Sequence, residues 1–210
     1  LKGAARAVQA SKRRIVVSTI EDFPVLHSAH TLGKQGFEVV KVEVDEAGRL
    51  DLDQLEQAVT PDTALVSIQA ANQEIGTVQD LAAVGEVCRQ RDVLFHTDAT
   101  HSFTRMPLNV QEVPVDLVSV SAHTIHGPKG IGGLFIRDGT AVEKWMDGGF
   151  QEFNLRPGVE NIPGAVGFAR AAELVTAEET ARLQSLRDQL IERMLTIPHT
   201  RLNGHASHRL

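Results

Sequence analysis

Short apolar runs recur along this chain at intervals filled by helical hydrophobic periods, and that alternation narrows the available folds more than any other feature. The runs read as buried strands at residues 14–18 (RIVVS), 37–44 with Val39, Val40 and Val42 in alternation, 64–70 (ALVSIQA), 93–98 (VLFHTD), 116–121 and 133–137 (GLFIR). Helical stretches cover residues 2–10, 23–35, 51–58 and 80–91. Gly36 stops the second of these, and Asp51 opens the third with Gln54 three residues on, in the manner of a capping box. Strands that alternate with helices are joined by crossovers, which makes their sheet mostly parallel. The expected fold is α/β, a mostly parallel doubly wound sheet followed by one long amphipathic helix. That helix spans residues 165–194, with Leu174, Leu183, Leu186 and Leu190 spaced for one buried face.

Composition removes several function classes. With 210 residues, 42% hydrophobic and 23% charged, the chain can bury a core as one domain or one domain plus part of a second. A formal net charge of -6 argues against nonspecific nucleic-acid binding, which needs a basic face to displace counterions. No apolar run approaches the ~20 residues needed to cross a bilayer, and the first residues lack the apolar core of a signal peptide. A cytoplasmic protein that neither enters membranes nor binds nucleic acid is expected. The lone Cys88 lies in a helical stretch and reads as core. Leu1 opens inside a helix and residues 203–210 stop without a closing element, so an internal piece of a longer protein is expected.

In open sheets of this kind ligands sit off the carboxyl ends of the strands. Three polar positions fall there: Asn72, Asp98, and Ser121 with His123. A carboxylate at a buried strand end is costly unless a cation meets it, so Asp98 is either a ligand contact or a cap on the following turn. Ser121 and His123 offer donors that suit a phosphate. The Gly127–Gly132 turn is glycine-rich but has no Gly-Lys-Ser/Thr ending, so it is no Walker loop. His96, Asp98, His101, His123 and His126 supply ligand types for zinc, but His123 and His126 follow a strand rather than lying on a clear helix. No metal site is assigned.

The segment Ser-Ala-His-Thr-Ile-His-Gly-Pro-Lys-Gly at 121–130 resembles the cofactor-lysine segment of the cysteine desulfurases, class V aminotransferases that use pyridoxal phosphate (PLP). The resemblance runs on through Ile20-Glu21, Thr60-Pro61-Asp62-Thr63, Ala71-Asn72-Gln73-Glu74-Ile75-Gly76, His96-Thr97-Asp98-Ala99-Thr100, Gly148-Gly149-Phe150 and Glu160-Asn161-Ile162-Pro163-Gly164, in the family's order, with a pattern similar to archaeal-type members. It implies a PLP-transferase large domain at 1–164, and a helix with the start of an incomplete small domain at 165–210. It also implies that Asp98 meets the pyridine nitrogen, Asn72 and His101 the ring oxygen, and Ser121 and His123 the phosphate.

The chain departs from that pattern at several of these positions. The family lysine that holds PLP as a Schiff base is Thr124 here, and a hydroxyl forms no imine. Lys129, five residues on within a glycine turn, is a poor substitute. Asp22 stands where the family has a ring-stacking histidine, His101 where it has glutamine, and Val159 where it has a phosphate-binding threonine. The family's Gly-Thr phosphate loop would precede Leu1, and its persulfide-cysteine loop would follow Leu210. The resemblance therefore implies a desulfurase-like domain, impaired or inactive as this chain, holding PLP noncovalently if at all. As a homodimer, or with a sulfur-acceptor or scaffold protein, it would belong to sulfur transfer and iron–sulfur cluster assembly. The alternative is a noncatalytic interaction module pairing with a desulfurase or sulfur-transfer partner.

Overall fold

A computed structural model describes residues 1–210. Its centre is a six-stranded sheet in the order β2-β1-β3-β4-β5-β6. The strands are β1 (Arg14–Ser18), β2 (Glu38–Val42), β3 (Thr63–Ser67), β4 (Leu94–Asp98), β5 (Leu117–Ser121) and β6 (Gly132–Ile136). The first five run parallel. β6 returns antiparallel to β5. Only residues 122–131 separate those two, too few for the crossover that parallel pairing requires.

Side chains alternate across the sheet and build two cores. Val16, Val66 and Phe95 lie in cross-strand register and belong to one. Ile15 and Leu65 are paired one position back and belong to the other. Helices α1 (Lys2–Ala7) and α2 (Phe23–Lys34) pack against β3 and against β1 and β2, over the second core. Helices α3 (Leu52–Ala58) and α4 (Leu81–Gln90) cover the first. The apolar runs are doubly buried for that reason: every residue of β3 is inaccessible to solvent.

Local chemistry sets the helix ends. Asp22, Asp51 and Asp80 accept backbone N–H bonds from Phe23, Gln54 and Ala83 at the starts of α2, α3 and α4. Only half of the expected capping box forms at α3, because the Gln54 side chain accepts from the Glu43 N–H instead of returning to Asp51. The first helix ends at Ala7 rather than at residue 10, giving way to a turn in which Ser11 N donates to Val8 O.

The tail differs from the single helix expected at 165–194. A one-turn segment α5 (Gln151–Asn154) holds Glu152 and Phe153 in left-handed backbone. Two helices follow, α6 (Ile162–Leu174) and α7 (Ala177–Leu195). Val175 adopts an extended ψ of 121°, and Thr176 caps α7 by accepting from Glu179 N at 3.1 Å. The Thr-x-x-Glu sequence there is a helix start that the hydrophobic period concealed. The leucine face is not buried either: Leu174, Leu183, Leu186 and Leu190 are 60%, 47%, 48% and 61% exposed. Residues 205–210 fold back on the loop after β3. Val78 N bonds to His208 O at 3.0 Å and Leu210 N to Gly76 O at 2.9 Å. Residues 205–210 are therefore fastened to that loop. No helix is long and apolar enough to cross a membrane.

Candidate functional site

β1, β3, β4 and β5 are parallel neighbours, so the segments leaving their carboxyl ends rise from one edge of the sheet. Asp98 closes β4 half-buried. Its Oδ1 accepts from Thr100 N at 2.9 Å, the capping role, while no protein donor reaches its other oxygen. A cation can meet that oxygen without displacing the turn.

Ser121 closes β5, and its Oγ lies 2.8 Å from His123 Nδ1, joining a hydroxyl and an imidazole at the start of the turn. His101 lies three residues beyond Asp98, with Nε2 3.9 Å from Asp22 Oδ2. Asp22 is held in place because its Oδ1 accepts from Phe23 N at 2.7 Å. Asp22 and His101, from the turns after β1 and β4, thus face each other.

Asn72 is only 5% exposed and largely engaged by its own loop. Its Oδ1 accepts from Glu74 N and Ile75 N, both at 2.9 Å, and its Nδ2 donates to Ile20 O at 3.1 Å. Thr124, in the short 3-10 turn His123–Ile125, is engaged as well. Its Oγ1 sits 2.6 Å from Thr100 O and 3.0 Å from Ser121 O, so its one hydroxyl hydrogen braces the turn after β4 against the end of β5. Arg105 Nη2 donates to the Thr124 carbonyl at 2.9 Å and closes the brace from outside.

Sequence reasoning gave no role to Glu21, which the fold buries at the turn after β1 to 4% exposure. Its Oε1 accepts from Ser18 Oγ at 2.6 Å and from Gln69 N at 2.9 Å, and its Oε2 has no partner. Burial pushes the carboxyl up to about 8, with the Asp98 charge adding to the effect and the bonds from Ser18 and Gln69 opposing it. The signal in the sequence was an acidic residue three positions past a buried strand. Gln69, also without an assigned role, donates through Nε2 to Ile20 O at 2.7 Å, so the β1 turn and the segment after β3 are stitched together.

His96 is a sheet residue. Its Nδ1 pairs with Ser67 Oγ and its Nε2 with Ser119 Oγ, each at 2.8 Å, in a polar line across β3, β4 and β5. Burial pushes this imidazole down to about 3. Both ring nitrogens are taken, which leaves none for a metal. Cys88 is buried in the core, where desolvation pushes its thiol up to about 12, far from a reactive thiolate.

The class-V aminotransferase family model matches residues 1–210. The cysteine desulfurase IscS of Methanosarcina thermophila is 45% identical over 213 residues, covering 100% of this chain and 53% of its own length. The mitochondrial cysteine desulfurase of Saccharomyces cerevisiae is 40% identical over 214 residues, covering 100% of this chain and 43% of its own. Among solved structures, DndA from Streptomyces lividans superposes with a TM-score of 0.90 at 32% identity, over 100% of this chain and 61% of that one. A NifS-like protein does so with 0.87 at 38%, over 93% and 54%. The chain spans about half the length of the curated relatives it matches. With a mostly parallel sheet, polar side chains at its carboxyl edge and a family match over every residue, the chain belongs to the class-V aminotransferases and is a domain similar to the cysteine desulfurases.

Proposed function

We propose that this chain is a desulfurase-like domain that holds PLP without a covalent link and does not complete lysine-dependent sulfur transfer from cysteine. The observation that carries this reading is Thr124: its hydroxyl is committed to the Thr100 and Ser121 carbonyls, and it could not form an imine even if released. The crevice otherwise suits the cofactor. Asp98 keeps a free carboxylate oxygen that would meet the pyridine nitrogen, and His101, near Asp22, would donate to the ring oxygen. Ser121 and His123 offer a hydroxyl and an imidazole to the phosphate. Asn72 contributes chiefly by holding its loop, with one amide hydrogen to spare. When bound, PLP would supply an electron sink for a substrate carbanion. Exposed Lys129 forms no hydrogen bond to the crevice and does not take the place of the family lysine.

PLP titration of the purified chain tests this, with borohydride reduction and peptide mass spectrometry. Saturable binding with the spectrum of the free aldehyde and no site-specific adduct is expected. A band near ~420 nm that reduces onto one lysine, Lys129 above all, would overturn it.

A second reading, a cytoplasmic interaction module, draws on the apolar ladder of α7. Leu183, Leu186, Leu190 and Met194 are 47%, 48%, 61% and 47% exposed and lie on one helix, an apolar face that a partner could cover. On this reading the chain forms a homodimer or docks a sulfur-acceptor or scaffold protein of iron–sulfur assembly. Size-exclusion chromatography that gives a monomer at every concentration, with no desulfurase copurifying, would remove it.

A further inference from the structure

The groups left free at the carboxyl edge of the sheet are mostly hydrogen-bond acceptors. Thr124 Oγ1 has its single hydrogen committed to the Thr100 or Ser121 carbonyl, at 2.6 and 3.0 Å, and no protein donor bonds to the oxygen itself. Asp22 Oδ1 is taken by Phe23 N, but Oδ2 has only His101 Nε2 near it, at 3.9 Å, beyond hydrogen-bond length. Asp98 likewise keeps one oxygen. Donors in the same region are already engaged: His123 Nδ1 lies on Ser121 Oγ, and Arg105 gives Nη2 to the Thr124 carbonyl. No lysine bonds to any of these oxygens.

We propose that this edge selects the amine form of the cofactor: a phosphorylated pyridine with a primary ammonium on ring carbon 4, pyridoxamine phosphate, is held more tightly than forms without that charge. This rests on the reading that PLP sits here with its nitrogen on Asp98 and its phosphate at Ser121 and His123. The substituent on carbon 4 lies opposite the ring nitrogen and next to the phosphate arm, so the residue after the phosphate pair is its neighbour. That residue is Thr124, and its hydroxyl reaches Thr100, which precedes His101. Asp22 borders the same turn through His101. An aldehyde oxygen is an acceptor and finds acceptors there. An ammonium brings three donors, one of which the Thr124 oxygen accepts, and the Asp22 carboxylate opposes its charge. On this reading the amine absent from the protein at position 124 is supplied by the ligand. Thr124 and Asp22 act as specificity residues, and no covalent bond is made or broken.

Equilibrium dialysis of the purified chain against pyridoxamine phosphate, pyridoxine phosphate and PLP tests this. Pyridoxine phosphate carries a hydroxymethyl group of nearly the same size and forms no imine with surface lysines, so the first two isolate the ammonium. Near neutral pH, pyridoxamine phosphate should bind about 10-fold more tightly than pyridoxine phosphate. Thr124→Val, which removes the oxygen and keeps the shape, should bring that ratio close to one. Asp22→Asn keeps an oxygen for Phe23 N and should lower the ratio in part. Each ratio comes from one protein preparation, so a partly unfolded variant loses sites rather than preference, and the native ratio decides even where a variant fails to fold. A native ratio of one or below, with PLP still saturating, would overturn the inference and leave the cofactor reading standing. A preference that survives both substitutions would overturn the assignment to Thr124 and Asp22. Binding of none of the three ligands would overturn the inference and the cofactor reading together.

Discussion

Two buried groups pull the stability of this chain in opposite directions with pH, and substituting either should expose the other. Burial pushes the His96 imidazole down to about 3 and the Glu21 carboxyl up to about 8, from ordinary values of 6.5 and 4.5. Below 6.5 the unfolded chain protonates His96 while the folded chain resists until about 3, so this contribution to stability is lost as pH falls through that window. Above 4.5 the unfolded chain ionises Glu21 while the folded chain keeps its proton until about 8, so this contribution is lost as pH rises. Each slope is about 1.4 kcal/mol per pH unit. Between 4.5 and 6.5 the two cancel in the native chain. Glu21→Gln keeps an acceptor for Ser18 and Gln69 but removes one slope, so that variant should lose about 3 kcal/mol on going from pH 6.5 to 4.5. His96→Gln removes the other slope and should gain a similar amount over the same interval. It starts from a lower stability, because the ring packing and the bonds to Ser67 and Ser119 are gone. Urea unfolding followed by far-UV circular dichroism at half-unit pH steps reads both differences. If the Glu21→Gln and native curves stay parallel across the interval, the argument from burial is wrong.

The remaining predictions bear on the crevice. Asp98→Asn keeps an oxygen for the Thr100 N–H and so should fold normally, but PLP affinity should fall about 10- to 100-fold, or about 1.4 to 2.8 kcal/mol; an unchanged dissociation constant in equilibrium dialysis would remove Asp98 from the site. Thr124→Lys restores an amine at the family position, and borohydride should then fix PLP to residue 124 alone. Labelling spread over several lysines would show that the turn does not present this position to the cofactor.

How much of this was legible in the sequence depends on what each residue reports. The six strands and the cap at Asp51 are written locally, in β-branched runs and in an oxygen-bearing side chain ahead of an apolar period. The antiparallel return of β6 was also implicit, in the shortness of residues 122–131. The tail was misread as one helix because the hydrophobic period runs on through Val175 and Thr176, where Thr176 starts a second helix. At the site, the strand ends brought Asn72, Asp98, Ser121 and His123 to one sheet edge, since they follow from strand assignments, while His101 came from the resemblance alone. Glu21 was missed as a working residue because its character comes from what encloses it: Ser18 three residues back, but also Gln69 and Asp98 from other strands.

That difference bears on what the Thr124 substitution does to the fold. In this chain most of the polar atoms at the sheet edge are spent on one another: Asn72 on its loop, Asp22 on the start of α2, Thr124 on Thr100 and Ser121. On the proposed reading, in which position 124 is the lysine position of the resemblance, a threonine there does more than delete an amine. It supplies a short hydroxyl that ties the turn after β4 to the end of β5. Restoring the amine breaks this tie and leaves the Thr100 carbonyl to find water, at a cost on the order of 1 kcal/mol. A small stability loss in Thr124→Lys that is recovered on adding PLP would mean that brace and cofactor compete for the same turn; a loss that PLP leaves untouched would mean that the turn serves the fold alone.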